Sequence, residues 1–324
     1  MDKKCIKLES VPCINLDLTL DCGQSFRWNK KSDGKWCAVV SAEQNGKAVS
    51  KYLELSQTEI KDDKTRDILF YNTTQEEIDN IWKPYLDLDR DYDGICEVLR
   101  RDGYIAKAID EFYGIRILNQ EPWETLCSFI ISQNNNIPRI KGIIDRLCES
   151  FGEPIATADE KTLYSFPSAQ TVAKLTEEDL SPLRAGFRNK YIIDAAQKVA
   201  SGEVDLKKIK ELPLVEAEAE LLKIKGVGPK VAQCALLYGC GQIDAFPVDV
   251  WVKRIMGEMY QNGLPDCTNG VRGIAQQYLF HWRRNSVHEN FNLKFMKTSA
   301  FQNLIHSQSR RNPYKEKLKE PACP

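Results

Sequence analysis

The first 280 residues of this 324-residue chain contain no histidine; all three, His281, His288 and His306, lie near the C-terminus. A Ser-His-Asp triad, a Cys-His pair and a histidine metal site are therefore excluded from the main body, and any catalysis there falls to Lys, Asp, Glu, Tyr or Cys. Paired cysteine is lacking too. Eleven cysteines are scattered with no Cys-x-x-Cys spacing, which favours free thiols in a reducing, intracellular setting and argues against a cysteine-ligated zinc or iron–sulfur site. No apolar run approaches about 18 residues, so no transmembrane helix is expected. The N-terminus, MDKKCIKLESVPC, has no signal-peptide apolar region. Net charge is −1, so a basic surface for an anionic partner must be local.

What the chain does have changes character along its length. Residues 1 to about 75 read as an antiparallel sheet. Leu16, Leu18 and Leu20 alternate with polar residues, SFRW (25–28) and WCAVV (36–40) flank a Gly-containing turn, Asn45-Gly46 is a hairpin signal, and YLEL (52–55) and ILFYN (68–72) supply further strands. From about residue 75 the periodicity is helical, and 74–116 is an acidic, solvated helical surface. EPWETLCSFIISQ (121–133) is an apolar helix with Trp123, Leu126, Cys127, Ile130 and Ile131 at core spacing. The next helix is capped by Asn136 and ended by Gly152. The expectation is an α+β chain: a β-rich domain with connecting helices over 1–115, a helical domain over 116–282, and a poorly ordered, mildly basic tail over 283–324.

The stretch Leu221–Met256, LLKIKGVGPKVAQCALLYGCGQIDAFPVDVWVKRIM, reads as a helix, a tight Gly-Pro hairpin, a second helix, a loop and the start of a third. Gly226 and Gly228 permit positive φ and close backbone approach. The hairpin N–H groups and the following helix start then offer a phosphate site, with Lys223 and Lys225 adding local charge. Lys230 reads either as one more surface lysine or as a nucleophile. An amine at a helix start, against an apolar wall, is where the neutral form that Schiff-base chemistry needs is favoured. Asp249, 19 residues on, can cap the third helix, and the same carboxylate can stabilise a developing cation. Two other sites stay open on the residues alone. Asn134-Asn135-Asn136 needs only one Asn as a cap, so its amides could also meet a ligand. Phe187-Arg188 reads first as a buried corner, and if exposed would suit stacking on a base.

The run L-x-x-x-x-G-V-G-x-K-x-A (Leu221–Ala232) with PVDV resembles the helix-hairpin-helix/Gly-Pro-Asp superfamily of DNA glycosylases. GQSFRW (23–28), NNNIPRI (134–140) and GFRNKY (186–191) narrow the resemblance to 8-oxoguanine DNA glycosylase, over roughly residues 15–282. That resemblance implies an N-terminal antiparallel β-sheet domain followed by a mainly α-helical glycosylase domain. It implies that Lys230 attacks the sugar and forms a Schiff base, and that Asp249 stabilises the oxocarbenium-like transition state. Gly23 would present its carbonyl to N7–H of the oxidised guanine. Phe280 and Cys234 would sandwich the flipped base, and Gln276 would bond its Watson–Crick edge. Asn134 would fill the vacated space, Arg139 and Arg188 would contact the orphaned cytosine, and Phe187 would wedge into the stack. The family usually has Tyr at the position of Phe187, and Trp251 stands where a phosphate-contacting His is usual, though its indole N–H can still donate. The segment after Trp282 departs from the family pattern.

The function so implied is excision of 8-oxoguanine opposite cytosine with β-elimination at the abasic site. The alternatives are a non-catalytic lesion-binding module and a glycosylase for another damaged base. No cofactor or catalytic metal is implied; a structural cation on hairpin carbonyls of Lys223, Lys225 and Val227 is the one ion the pattern suggests. The implied partner is double-stranded DNA containing 8-oxoguanine, met by a monomer away from any membrane, in the cytoplasm or nucleoid of a bacterium or the nucleus of a eukaryote.

Overall fold

The computed structural model describes residues 5–44, 47–158 and 160–285. The Asn45-Gly46 turn, His288, His306 and the tail from 286 onward lie outside them.

Five strands, β1 (Cys5–Pro12), β2 (Asn29–Lys30), β3 (Trp36–Gln44), β4 (Lys47–Gln57) and β5 (Thr65–Tyr71), form one antiparallel sheet in the order β1-β5-β4-β3-β2. Its buried face is built by period-2 alternation: Trp36, Ala38, Val40 and Ala42 on β3, Leu53 and Leu55 on β4, Ile68 and Phe70 on β5. Two sequence expectations change here. Leu16–Leu20 is a short helix, α1, because Asn15 caps it by accepting from Asp17 N and Leu18 N. Leu16 and Leu20, four apart, are both buried, a spacing that fits either period. SFRW is irregular backbone, and pairing starts only at Asn29, opposite Cys37.

The sheet is covered by α2 (Gln75–Glu77), a π-helical turn Ile78–Trp82 and α3 (Lys83–Tyr85), which contribute Ile78, Ile81, Trp82 and Tyr85 to its core. A second core belongs to the helices α4 (Tyr92–Leu99), α5 (Gly103–Glu111), α6 (Pro122–Ser132), α7 (Ile137–Phe151), α8 (Ala169–Val172), α9 (Asn189–Ser201), α10 (Leu206–Glu211), α11 (Leu214–Leu221), α12 (Pro229–Gly239), α13 (Val250–Met259) and α14 (Arg272–Asn285). The expected apolar stripe of α6 is buried, as are Ile140, Ile143, Ile144, Leu147 and Cys148 of α7. A small hairpin, β6 (Pro154–Ala158) and β7 (Lys161–Tyr164), was not anticipated. Between the two cores runs Arg116, fully buried, which donates to the carbonyls of Pro12 at 2.8 Å, Cys13 at 2.9 Å and Asp87 at 2.5 Å. A buried guanidinium is tolerable only when its donors are met in this way. None of the described helices is long and apolar enough to cross a membrane.

Candidate active site and DNA-facing surface

The hairpin between α11 and α12 is shaped by one glycine more than the other. Gly226 has φ +81°, and a Cβ there would stand 2.4 Å from the ring of Tyr191. Only glycine satisfies both conditions. Gly228, expected to share that role, is extended (φ −102°, ψ 177°) and acts as the N-cap of α12 with open space in front of it. Its lack of a side chain leaves the α12 N-terminus accessible, which suits an anion. Among the candidate cation ligands, the Lys223 carbonyl already accepts from the Lys198 ammonium at 2.6 Å. No group of three or more His, Cys, Asp or Glu among the described residues could hold a metal.

Lys230 lies in the first turn of α12 with its Nζ 5.0 Å above the ring of Phe129. Phe129 is stacked on Tyr238 (5.4 Å, 18°) and meets Phe26 edge-on at 5.6 Å, so the amine has an aromatic floor drawn from α6, α12 and the N-terminal part of the chain. One turn further along α12, Cys234 is buried. Burial pushes its thiol up, the Lys230 ammonium pulls it back through charge and hydrogen bonding, and Asp249 pushes it up again. The lysine, the thiol and the carboxylate therefore share one neighbourhood. Asp249 caps α13 by accepting from Val252 N at 2.8 Å. The loop before it is anchored by Phe246 N to the Gln233 amide oxygen at 2.8 Å. It is also pressed against α14 at Gly273, where a Cβ would fall 2.4 Å from Leu237 Cδ1 and 2.7 Å from the Ala245 carbonyl.

Besides Cys234 on α12, the residues that resemblance assigns to the base lie on α14 and the loop after α1. Gln276 is buried with its side-chain oxygen unpartnered in the structure, a costly state that a ligand donor would relieve. Phe280, one turn on, is half-buried. Gly23 has φ +89°. Burial and the charge of Arg284 hold His281 below its usual range, and the ring packs edge-on against Phe112 at 4.6 Å.

A second group of candidates gathers at the C-terminal end of α6. Asn136 caps α7 by accepting from Arg139 N at 3.0 Å. Asn134 is exposed with φ +47°, a conformation Asn tolerates better than most residues. Phe187 is 47% exposed, so the buried-corner reading is replaced by the exposed one; the ring carries the Arg188 guanidinium 4.4 Å away and meets Tyr191 edge-on at 5.9 Å. Arg139 is exposed, with Nη2 on the Arg184 carbonyl at 3.0 Å. Arg188 is not exposed. It is 2% accessible, and its guanidinium donates to the carbonyls of Gln133, Asn134 (3.0 Å) and Ala185 (3.0 Å). Beyond the hairpin, Val250 is 60% exposed and Trp251 is half-buried beneath Arg254, 5.0 Å from its ring.

Residues 7–126 match the model of the 8-oxoguanine DNA glycosylase N-terminal domain, and 127–266 match that of HhH-GPD superfamily base excision DNA repair proteins. An N-glycosylase/DNA lyase of Saccharomyces cerevisiae is 33% identical over 270 residues, covering 75% of this chain and 67% of the relative. The chain belongs to the 8-oxoguanine DNA glycosylase family. A Clostridium acetobutylicum 8-oxoguanine glycosylase/lyase, solved with double-stranded DNA containing cytosine opposite 8-oxoguanine, is 36% identical with a TM-score of 0.76, over 88% of this chain and 99% of that one. The structure of MBOgg1 with a low-affinity DNA ligand is 39% identical with a TM-score of 0.78, over 88% of this chain and 97% of that one. The protein is thus a base excision repair enzyme, a DNA glycosylase with lyase activity, and its partner is double-stranded DNA. Sequence reasoning missed Phe129, Tyr191, Tyr238, Gly273 and Gln277. The one signal for the last was a second glutamine in an otherwise apolar helix, IAQQYLF.

Proposed function

We propose that the protein removes 8-oxoguanine from duplex DNA, with preference for cytosine opposite, and cleaves the resulting abasic site through a Schiff base on Lys230. The observation that carries this reading is the shared neighbourhood of Lys230 and Asp249 around the buried Cys234 thiol, in a chain of this family. A base must leave the helix before its glycosidic bond can be reached. The lysine amine attacks C1′ as the C1′–N bond breaks and the base departs with the electron pair, taking up a proton. Asp249 faces the positive charge that develops on the sugar. Ring opening gives the Schiff base, β-elimination breaks the 3′ C–O bond, and hydrolysis frees the amine. No cofactor enters these steps, and a cation on the hairpin carbonyls would only stiffen the turn.

Gly23 reads N7–H through its carbonyl, Gln276 meets the base edge with its unpartnered amide, and Phe280 and Cys234 close the two faces. Gly226, Gly228 and Trp251 face the phosphates. Asn134 and Phe187 enter the vacated space, with Arg139 reaching the orphaned base. Arg188 can join it only by leaving its three carbonyls, so its part in the resting enzyme is to hold the Asn134 loop. An enzyme acting on genomic DNA works inside the cell. Borohydride added during turnover should trap a protein–DNA adduct, and Lys230→Gln should reduce trapping and nicking by more than about 10³-fold. Trapping that survives this substitution removes the assignment. A duplex panel with 8-oxoguanine opposite each base tests the cytosine preference.

A further inference from the structure

We infer that Gln277, oriented by Tyr238, is a positioning residue that sets the peptide preceding Gly23 and thereby the discrimination of the oxidised base; this rests on the reading role proposed for Gly23. Tyr238 is buried on α12, eight residues after Lys230, and burial keeps its hydroxyl protonated. It donates to Gln277 Oε1 at 2.5 Å. A carboxamide whose oxygen is held has its nitrogen fixed in direction. Gln277 Nε2 is thus aimed at the Cys22 carbonyl, 3.2 Å away.

That carbonyl belongs to the planar unit joining Cys22 to Gly23, so the bond fixes the plane from which Gly23 starts. Gly23, at φ +89°, has no side chain to restrict it further. The following residue is held from the other side. Gln120 Nε2 donates to the Gln24 carbonyl at 2.7 Å, and the Gln24 amide serves the Thr19 and Arg116 carbonyls and Leu118 N. Among the described residues no hydrogen bond ends on the Gly23 carbonyl between these anchors. The same face of α14 brings Arg284 Nη1 to 3.9 Å from where a Gly23 Cβ would stand. A single N7–H distinguishes the lesion from guanine here, so displacing the carbonyl by a fraction of an ångström weakens that recognition.

The test separates reading from catalysis by comparing two substrates: single-turnover excision from an 8-oxoguanine·cytosine duplex, and nicking of a duplex with a preformed abasic site, which places no base in the pocket. The double variant Tyr238→Phe/Gln277→Leu makes both partners apolar, leaves the Cys22 carbonyl as the one group that loses its donor, and keeps the ring on Phe129. Its melting temperature should fall by only a few degrees, with excision roughly tenfold slower and abasic nicking within about twofold. Gln277→Leu alone should show the same ratio with lower stability. Unchanged excision, or excision and nicking falling in parallel, would overturn the inference. If the parent enzyme itself excised no 8-oxoguanine, the proposed function would fall and the inference with it.

Discussion

The hairpin and the loop carrying Gly23 are held by opposite means. The hairpin and its flanking helices are fixed mainly by near neighbours: Val227 N bonds Ile224 O at 3.1 Å, and Asp249 caps Val252 at 2.8 Å. The hairpin's longer-range holds, Lys225 N on Asp194 at 2.7 Å, Lys198 on the Lys223 carbonyl and the Tyr191 ring beside Gly226, all come from one helix, α9. The Gly23 loop hangs on glutamine amides whose partners lie 92, 96 and 255 residues away in the chain. Short-range bonds form whenever their helices form, so the hairpin needs only α9, α11 and α12 to be in place. The loop acquires its shape only when the sheet domain, α6 and α14 are assembled. The proposed phosphate grip therefore rests on a compact cluster of three helices, and the proposed reader of the base depends on distant parts of the chain.

The largest expected effect tests the local side. Asp249→Asn keeps the cap, because Asn caps as well as Asp, but removes the charge; excision should fall about 10²–10³-fold with stability changed by less than about 0.5 kcal/mol. Asp249→Ala should add a loss of about 1 kcal/mol for the cap, seen by denaturant titration. If Asn and Ala lose activity only in step with stability, capping is the sole role. The long-range side is tested by Gln24→Leu, which strands the Leu118 N–H and the Arg116 carbonyl, leaves the Thr19 carbonyl with only the Cys22 thiol, and should cost about 3 kcal/mol. A cost under about 1 kcal/mol would mean that the loop does not rely on this network.

Gly226→Ala places a Cβ against Tyr191 in a positive-φ turn and should cost about 1–3 kcal/mol. As a lesion on the grip, it should weaken binding to undamaged duplex and slow excision and abasic nicking together. An effect confined to 8-oxoguanine would blur the division drawn here. The smallest effect concerns Glu121, the cap of α6, whose carboxyl burial raises from 4.5 to about 7. Between those values the folded state keeps a proton that the unfolded state has lost, so stability falls as pH rises through this window. Glu121→Gln retains an acceptor for Glu124 N without that loss, and should be more stable than the parent by about 1–2 kcal/mol near pH 8 and equal to it near pH 4. Thermal melts at both pH values decide it.

The same contrast governs what the sequence made legible. Helix starts with side-chain caps, such as Asn136 and Asp249, announce themselves because cap and helix are adjacent. The turn at Gly226 was readable as a turn, but the reason for its glycine, the Tyr191 ring, is a tertiary contact that no spacing reveals. Leu16–Leu20 misled because apolar residues at alternate positions also satisfy a four-residue helical repeat. Phe187 and Arg188 were each readable as binding groups, yet burial separates them: one ring stands in solvent while its neighbour's cation is spent on three backbone oxygens. Gln276 and Gln277 look alike in the sequence; one leaves its side-chain oxygen unpartnered and the other is paired at both ends of its amide.

One helix joins what these contacts divide. Near the C-terminal end of α6, Phe129 lies beneath the Lys230 amine. Immediately beyond its last turn, the Gln133 carbonyl is gripped by Arg188. Phe129 and Gln133 are four residues apart, about one turn or 6 Å of rise, so a displacement of the Gln133 carbonyl reaches the Phe129 ring through a single turn of backbone. The segment carrying Asn134 and the floor under the Lys230 amine are therefore mechanically one piece.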